Sequence, residues 1–285
     1  MAECFYSPTE LSEAIVFYQN NPDTLVFAGG TDLLIGWDNK KFNLSSILNL
    51  SKIEKLRSIH QEADGSWIIG AMATMNQLEE HPELKSIYPF LPYAASKLGS
   101  WQIRNSATAG GNVCNAAPSA EIVPSLMALD SSVRLVGPEG ERTLALADFA
   151  TGPGQTCLKE SELLSEIVIP KIEGDVSGKY VCRKLRRSVD ISLVSITAFL
   201  HFDGGKIIDA RLCLGAVAPT VIRAEQAEKY LIGRTLDQDT ITATAKMVAD
   251  ASSPISDVRS TAEYRLDMME ICTRDALTEI AEERS

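Results

Sequence analysis

The sequence predicts an α+β chain in two parts, and three observations lead there. Through roughly the first 170 residues, short apolar stretches bounded by glycine, proline and Asp-Gly pairs alternate with helix signals. At Pro170 the pattern breaks in the polar run "KIEGDVSG". Beyond it strands come first and helices follow, the segregation expected of an antiparallel sheet covered by helices on one side. A domain boundary is therefore expected between 172 and 178, dividing the chain into 1–172 and 178–285. With 285 residues, 45% of them hydrophobic, both parts can bury a core.

The elements follow in order. "SPTE" offers Ser7 as a helix cap, Pro8 for the first turn and Glu10 for a capping box, so a helix is expected over Pro8 to Gln19. Asn21-Pro22 stops it. "TLVFAGG" reads as a buried strand entering a glycine turn, and "SSILNL" as a second strand. "KLRSIHQEADGSWIIGA" alternates about Asp64-Gly65 as a hairpin. Thr74 with Gln77 caps a short helix ending before Pro82, and an apolar helix runs from Pro89 to Leu98. After the small-residue run "SATAGGNVCNAAPSAEI", "IVPSLMALD" reads as a helix, "SSVRLVGPEGERTLAL" as a hairpin turning at Pro138 to Gly140, and "LLSEIVIP" as a strand. In the second part, "SLVSITAFLHF" and "KIIDARLCLGAV" flank Asp203-Gly204-Gly205 as a hairpin. Helices are expected over Arg223 to Ile232, Asp237 to Ala251 and Thr261 to Glu282.

Composition narrows the function. A net charge of −11 without a basic stripe argues against a nucleic-acid partner, and the short cluster Arg183, Lys184, Arg186, Arg187 reads as a solvated face. The N-terminus has neither the positive region nor the apolar core of a secretory signal, and no apolar run is long enough to span a membrane, so a cytoplasmic protein is expected. The six cysteines form no C-x-x-C pair and read as packed free thiols, with no metal centre in this chain. His60, His81 and His201 stand in no hydrolase or metalloprotease context and read as structural; Met268-Met269 reads as core or subunit contact.

Two glycine pairs remain. Gly29-Gly30-Thr31-Asp32 and Gly110-Gly111-Asn112 lie about eighty residues apart, each read as a tight turn. Glycine permits positive φ and leaves backbone N–H groups uncovered, so each turn is a candidate anion nest, and the two together can hold one pyrophosphate. Thr31, Thr108 and Ser119 can add hydroxyl donors; Asp32 and Glu121 can accept from ribose or ribityl hydroxyls. Neither G-x-x-x-x-G-K-[ST] nor G-x-G-x-x-G is present, which leaves a P-loop or Rossmann site without support.

"LVFAGGTDLLIG", "IIGAMATMNQLEEHP", "GSWQIRNSATAGGNVCNAAPSAEIVPSLMALDSSVRLVG", "ATGPGQT" and "RRSVDISLVS" resemble, in order and over nearly the whole chain, the FAD-binding medium subunit of the molybdenum hydroxylases, the xanthine dehydrogenase and carbon monoxide dehydrogenase group. The resemblance implies a two-part FAD-binding domain of the vanillyl-alcohol-oxidase type, with subdomains of about 1–55 and 56–172, then a small α+β C-terminal domain. It implies that Ala28, Gly29, Gly30, Thr31, Asp32 and Leu33 form one pyrophosphate loop and Thr108, Ala109, Gly110, Gly111 and Asn112 the other, with Ser119 and Glu121 following. Glu121 stands where the family usually has aspartate. Leu98 and Leu164 match apolar positions against the cofactor. Cys182 stands where the family commonly has a lysine near the flavin, and Lys184, on the same face of an extended strand, is the candidate substitute.

The resemblance further implies partners: a small subunit with [2Fe–2S] clusters that feeds electrons to the FAD, and a large subunit with the molybdenum cofactor where the organic substrate reacts. The flavin would then reduce NAD or another acceptor. "QIRN", "GGNVCN" and "DIS" look closest to the xanthine-dehydrogenase branch. Two other classes stay open: a free-standing flavin oxidase or reductase of the same fold, and a non-catalytic module that uses the glycine turns structurally.

Overall fold

The computed structural model describes residues 4–39 and 46–284. The N-terminal segment folds as β1 (Cys4–Tyr6), α1 (Leu11–Asn20), β2 (Thr24–Phe27), α2 (Leu33–Asp38) and β3 (Ser46–Asn49). The three strands form a parallel sheet in the order β1-β3-β2. β1 gave no sequence signal, and β2 is half-buried rather than buried beyond Thr24. The helix begins later than "SPTE" suggests. Its N-cap is Glu10 and no side chain caps it, because the Ser7 hydroxyl instead reaches the Asn49 carbonyl at 3.5 Å. Of "SSILNL", Ser45 lies outside the described residues.

The middle segment runs β4 (Ile59–Gln61), β5 (Trp67–Gly70), α3 (Met75–Glu80), α4 (Pro82–Ile87), α5 (Phe90–Ser96), α6 (Trp101–Ser106), α7 (Ala109–Cys114) and α8 (Val123–Ala128). It continues through β6 (Ser132–Gly137), β7 (Gly140–Ala145), β8 (Ala150–Gly152), β9 (Gln155–Thr156) and β10 (Leu163–Ile169). Five of these strands make an antiparallel sheet, β4-β5-β10-β6-β7. Both predicted hairpins are present, but β10 inserts between them, pairing with β5 on one side and β6 on the other. The capping box at Thr74 and Gln77 forms as read. Alternation along β10 sends Leu163 into the small core under α1 and Leu164 into the main core, and a register shift follows between Leu164 and Glu166.

The last segment is β11 (Asp175–Arg183), β12 (Val194–Asp203), β13 (Lys206–Gly215), β14 (Ile222–Arg223), α9 (Glu225–Leu231), α10 (Gln238–Asp250) and α11 (Ala262–Glu283). The strands form an antiparallel sheet in chain order. α9 packs on β13, α11 on β11 and β12, and α10 on the other two helices. Two expectations need correction. The strand begins at Asp175, inside the run read as a break; Gly178 carries no side chain there because Phe90 packs against it, 2.5 Å from where a Cβ would stand. The sheet is also covered on both sides, since α5 packs on β11 and α8 on β12 and β13. That is why β12 is buried at almost every position rather than at alternate ones. A buried Ser125–Thr197 hydrogen bond of 3.0 Å and Phe90 against Phe199 at 5.9 Å tie the two parts together.

Candidate functional site

The two glycine segments, far apart in sequence, meet. A Cβ on Gly29 would stand 2.0 Å from the Ser106 carbonyl oxygen, so only glycine allows the loop after β2 to lie on the end of α6. Gly30 takes φ +72°, the left-handed region that favours glycine, and turns the chain into α2. Leu34 donates to the Gly30 carbonyl at 3.0 Å and Gly36 to that of Asp32 at 2.9 Å. The amides of Gly29, Gly30, Thr31, Asp32 and Leu33 have no acceptor among the described residues, and neither do the Thr31 hydroxyl's proton or a partner for the exposed Asp32 carboxylate. A run of open N–H groups at a helix entry is an anion site.

The second pair behaves differently, and the nest reading fails for it. Gly110 and Gly111 lie inside α7, with helical rather than positive φ, capped by Thr108, whose hydroxyl accepts from the Gly111 amide at 3.0 Å. The Ala109 amide donates to the Ala73 carbonyl at 2.8 Å and the Gly110 amide to the Ala71 carbonyl at 2.9 Å. Gly110 is glycine for proximity: a Cβ would stand 2.6 Å from the Ala71 Cβ and 2.7 Å from its carbonyl oxygen. Asn112 uses its side-chain oxygen to accept from Ile122 at 3.4 Å, tying α7 to the turn that carries Glu121.

α6, which sequence reading missed, is held by residues of "QIRN". Arg104 donates to Glu79 at 2.7 Å and to the Leu98 carbonyl at 3.1 Å; Asn105 accepts from Asn76 at 2.6 Å. These bonds fix the turn at Leu98, which is half-buried and packs on the main core. Leu164 is buried in the same core. The carbonyl of its neighbour Ser165 accepts at 2.9 Å from the amide of Ala71, the residue against which Gly110 packs. Ser119 is half-buried, without a hydrogen-bond partner among the described residues.

Glu121 is 5% exposed and gathers residues from the second part of the chain. Lys184 Nζ lies 2.9 Å from its Oε1, the Tyr180 hydroxyl donates to Oε2 at 2.5 Å, and the Ser192 hydroxyl donates to both oxygens at 3.1 and 3.2 Å. Lys184 also donates to the Lys97 carbonyl. Tyr180 and Ser192 carried no sequence signal, since a lone Tyr or Ser in a strand or loop reads as packing. Burial, and then the Glu121 charge, push the Tyr180 hydroxyl well above its ordinary range, so it stays a neutral donor. The same two causes, in the same order, raise the Cys182 thiol. Lys184 therefore brings its ammonium to the neighbourhood of Cys182, balanced by Glu121. A carboxylate offers about four acceptor positions, and the four contacts reach all of them; Ser192, with one proton shared between two oxygens, can yield one position to a ligand hydroxyl.

These features fit FAD: a run of amide donors for a pyrophosphate, a glycine loop locked against Ser106, and a buried carboxylate that can yield an acceptor position. The class is thus an FAD-binding flavoprotein. Residues 1–172 match the family described as the FAD binding domain in molybdopterin dehydrogenase, and residues 180–280 match the CO dehydrogenase flavoprotein C-terminal domain. The chain is 32% identical over 276 residues to the xanthine dehydrogenase FAD-binding subunit of Escherichia coli O157:H7, covering 96% of this chain and 94% of that one. It is 30% identical over 272 residues to the glyceraldehyde dehydrogenase medium chain of Sulfolobus acidocaldarius, covering 95% of each. Among solved structures, the Cu,Mo-CO dehydrogenase superposes with TM-score 0.93 at 28% identity, over 100% of both chains, and quinoline 2-oxidoreductase from Pseudomonas putida 86 with 0.93 at 26%, over 99% and 98%. The chain belongs to the FAD-binding subunits of the molybdenum hydroxylases. Its fold is the two-part FAD-binding domain followed by the small α+β C-terminal domain, and it is an oxidoreductase subunit. Among the described residues no helix is long and apolar enough to cross a membrane, and no cluster of His, Cys, Asp or Glu is arranged to hold a metal.

Proposed function

We propose that this chain is the electron-transferring flavin subunit of a xanthine-dehydrogenase-like complex, taking electrons from [2Fe–2S] clusters on a small partner and delivering them to NAD or another acceptor. The substrate is hydroxylated on a large partner that carries the molybdenum cofactor. The observation that carries the reading is the open amide run of Gly29 to Leu33 packed on Ser106, in a chain whose relatives include a xanthine dehydrogenase FAD-binding subunit. FAD, when bound, supplies a carrier that accepts electrons and passes them on as hydride. The protein's own work is to hold and orient it.

In this reading Gly29 to Leu33 hold the pyrophosphate with backbone donors, Ala28 leads the chain into that loop, Thr31 adds a hydroxyl donor, and Asp32 accepts from a ribose or ribityl hydroxyl. Thr108, Ala109, Gly110, Gly111 and Asn112 form the opposing wall by their small size rather than by free amides. Ser119 adds a hydroxyl, Leu98 and Leu164 apolar surface, Glu121 an acceptor, and Lys184 the positive charge that the family places at the position of Cys182. The chain divides into 1–172, with subdomains of about 1–55 and 56–172, and 178–285. Six free cysteines accord with a reducing, cytoplasmic location.

The test is to co-express the chain with its two partner subunits and assay the purified complex on a purine, nicotinate and carbon monoxide, with NAD and with an artificial dye as acceptors. Purine turnover coupled to NAD reduction is the expected result. Turnover with dye alone removes NAD from the reading, and turnover of another substrate removes the xanthine-like assignment.

A further inference from the structure

One buried charge has no part in the contacts described above. Arg265, in the first turn of α11, is 3% exposed. A guanidinium so far from water needs partners, and Arg265 has them on two of its three nitrogens, its buried Nε having none among the described residues. Nη1 donates to the Leu193 carbonyl and Nη2 to Asp257 Oδ1 at 3.0 Å. Both acceptors sit in irregular segments: Leu193 ends the loop between β11 and β12, and Asp257 lies in the loop between α10 and α11. Asp257 is a firm anchor, since hydrogen bonds from Arg259, and then from Arg265, hold its carboxyl well below the usual range.

The residue before Leu193 is Ser192, 2% exposed, whose hydroxyl spans both oxygens of Glu121. The Leu193 amide donates to the Arg183 carbonyl at 2.8 Å. Leu193 is thus fixed at both its amide and its carbonyl, and the carbonyl end is fixed by Arg265. We propose that Arg265 is a positioning residue for the flavin site: by holding Leu193 it keeps the Ser192 hydroxyl on Glu121, and so sets the orientation in which that carboxylate meets Lys184. The inference rests on the reading that Glu121 lines the flavin site. It connects the C-terminal helix, remote in sequence from both glycine segments, to the cofactor through Arg265, Leu193, Ser192 and Glu121.

A simple staple between two loops would contribute stability alone; a positioning residue also changes how FAD is held. Arg265→Lys keeps the charge but loses the fork that reaches two acceptors. In the full-length chain titrated with FAD, Arg265→Lys and Ser192→Ala should each weaken binding about tenfold, the scale of one lost buried hydrogen bond. Each should alter the visible circular dichroism of the bound flavin. The double variant should be little worse than either single, because both break one chain of contacts. Asp257→Asn, which weakens the anchor and leaves Arg265 in place, carries the same test if Arg265→Lys does not fold. An Arg265→Lys or Asp257→Asn protein with lower Tm but unchanged FAD affinity and flavin spectrum overturns the proposal, and so do fully additive effects. Glu121→Gln separates the two levels. If it changes the flavin spectrum while the Arg265 and Asp257 variants do not, the site reading stands and the positioning role falls. If Glu121→Gln itself changes nothing, both fall.

Discussion

Gly110→Ala and Gly111→Ala, neighbours in α7, are expected to part company. At Gly110 a methyl would sit 2.6 Å from the Ala71 Cβ and 2.7 Å from the Ala71 carbonyl oxygen, and Ala71 is held in place by Ser165. The helix must move away, straining or breaking the Gly110–Ala71 and Ala109–Ala73 hydrogen bonds of 2.9 and 2.8 Å. Overpacking costs about 1–3 kcal/mol and each lost bond about 1 kcal/mol, against a gain of roughly 1 kcal/mol for alanine over glycine in a helix. The balance is a loss of about 2–4 kcal/mol, or roughly 4–10 °C in Tm. At Gly111 the Thr108 hydroxyl oxygen, at 2.9 Å, is the one atom outside the helix's own backbone that a methyl would meet among the described residues. Disturbing that cap costs about 1 kcal/mol, which the helix gain offsets, so Tm should stay within about 3 °C of wild type. Thermal unfolding of the two variants, followed by far-ultraviolet circular dichroism without added FAD, makes the comparison. A Gly110→Ala protein as stable as wild type would refute the close-approach argument, and an equal fall in both variants would mean that the pair acts as a flexible turn after all.

Three further outcomes are expected. Gly29→Ala, whose methyl would collide with the Ser106 carbonyl, should weaken FAD binding at least tenfold in a titration while leaving the secondary structure unchanged; wild-type affinity would contradict the role of that contact. Hydrogen bonds from Arg142, and then from the Lys159 amide, hold the Glu162 carboxyl below its ordinary value of 4.5, so its stabilising contribution is complete above that pH and is lost as pH falls through the lowered value. The Tm difference between wild type and Glu162→Gln should therefore shrink below about pH 4.5, and a difference that persists unchanged to pH 3 would contradict it. Burial pushes the Cys114 and Cys272 thiols up to about 12 and raises that of Cys213, while Cys4 is exposed. Alkylation of the native chain near pH 8, read by mass spectrometry, should mark Cys4 first and those three only on unfolding.

Neighbours along the chain are enough to specify several of these elements. The hairpins about Asp64-Gly65 and Asp203-Gly204-Gly205, the capping box at Thr74 and the three C-terminal helices are short-range matters of turn chemistry, capping and periodicity, and they stand where they were read. The first glycine loop was legible for the same reason, because a strand running into Gly29-Gly30 leaves few conformations. Other features depend on contacts between distant segments. Whether Gly110 is a turn or a helical contact depends on Ala71, which approaches it from about forty residues away and takes the amide that the nest reading left free. β10 slides between two hairpins, and β1 exists only because β3 offers it a parallel edge. The partners of Glu121 were hidden most deeply. Tyr180, Lys184 and Ser192 lie roughly 60 to 70 residues away, on β11 and the loop that follows it. A carboxylate becomes an organising centre only when burial removes water and makes every remaining donor count, and burial is a property of the folded chain, not of the sequence around Glu121.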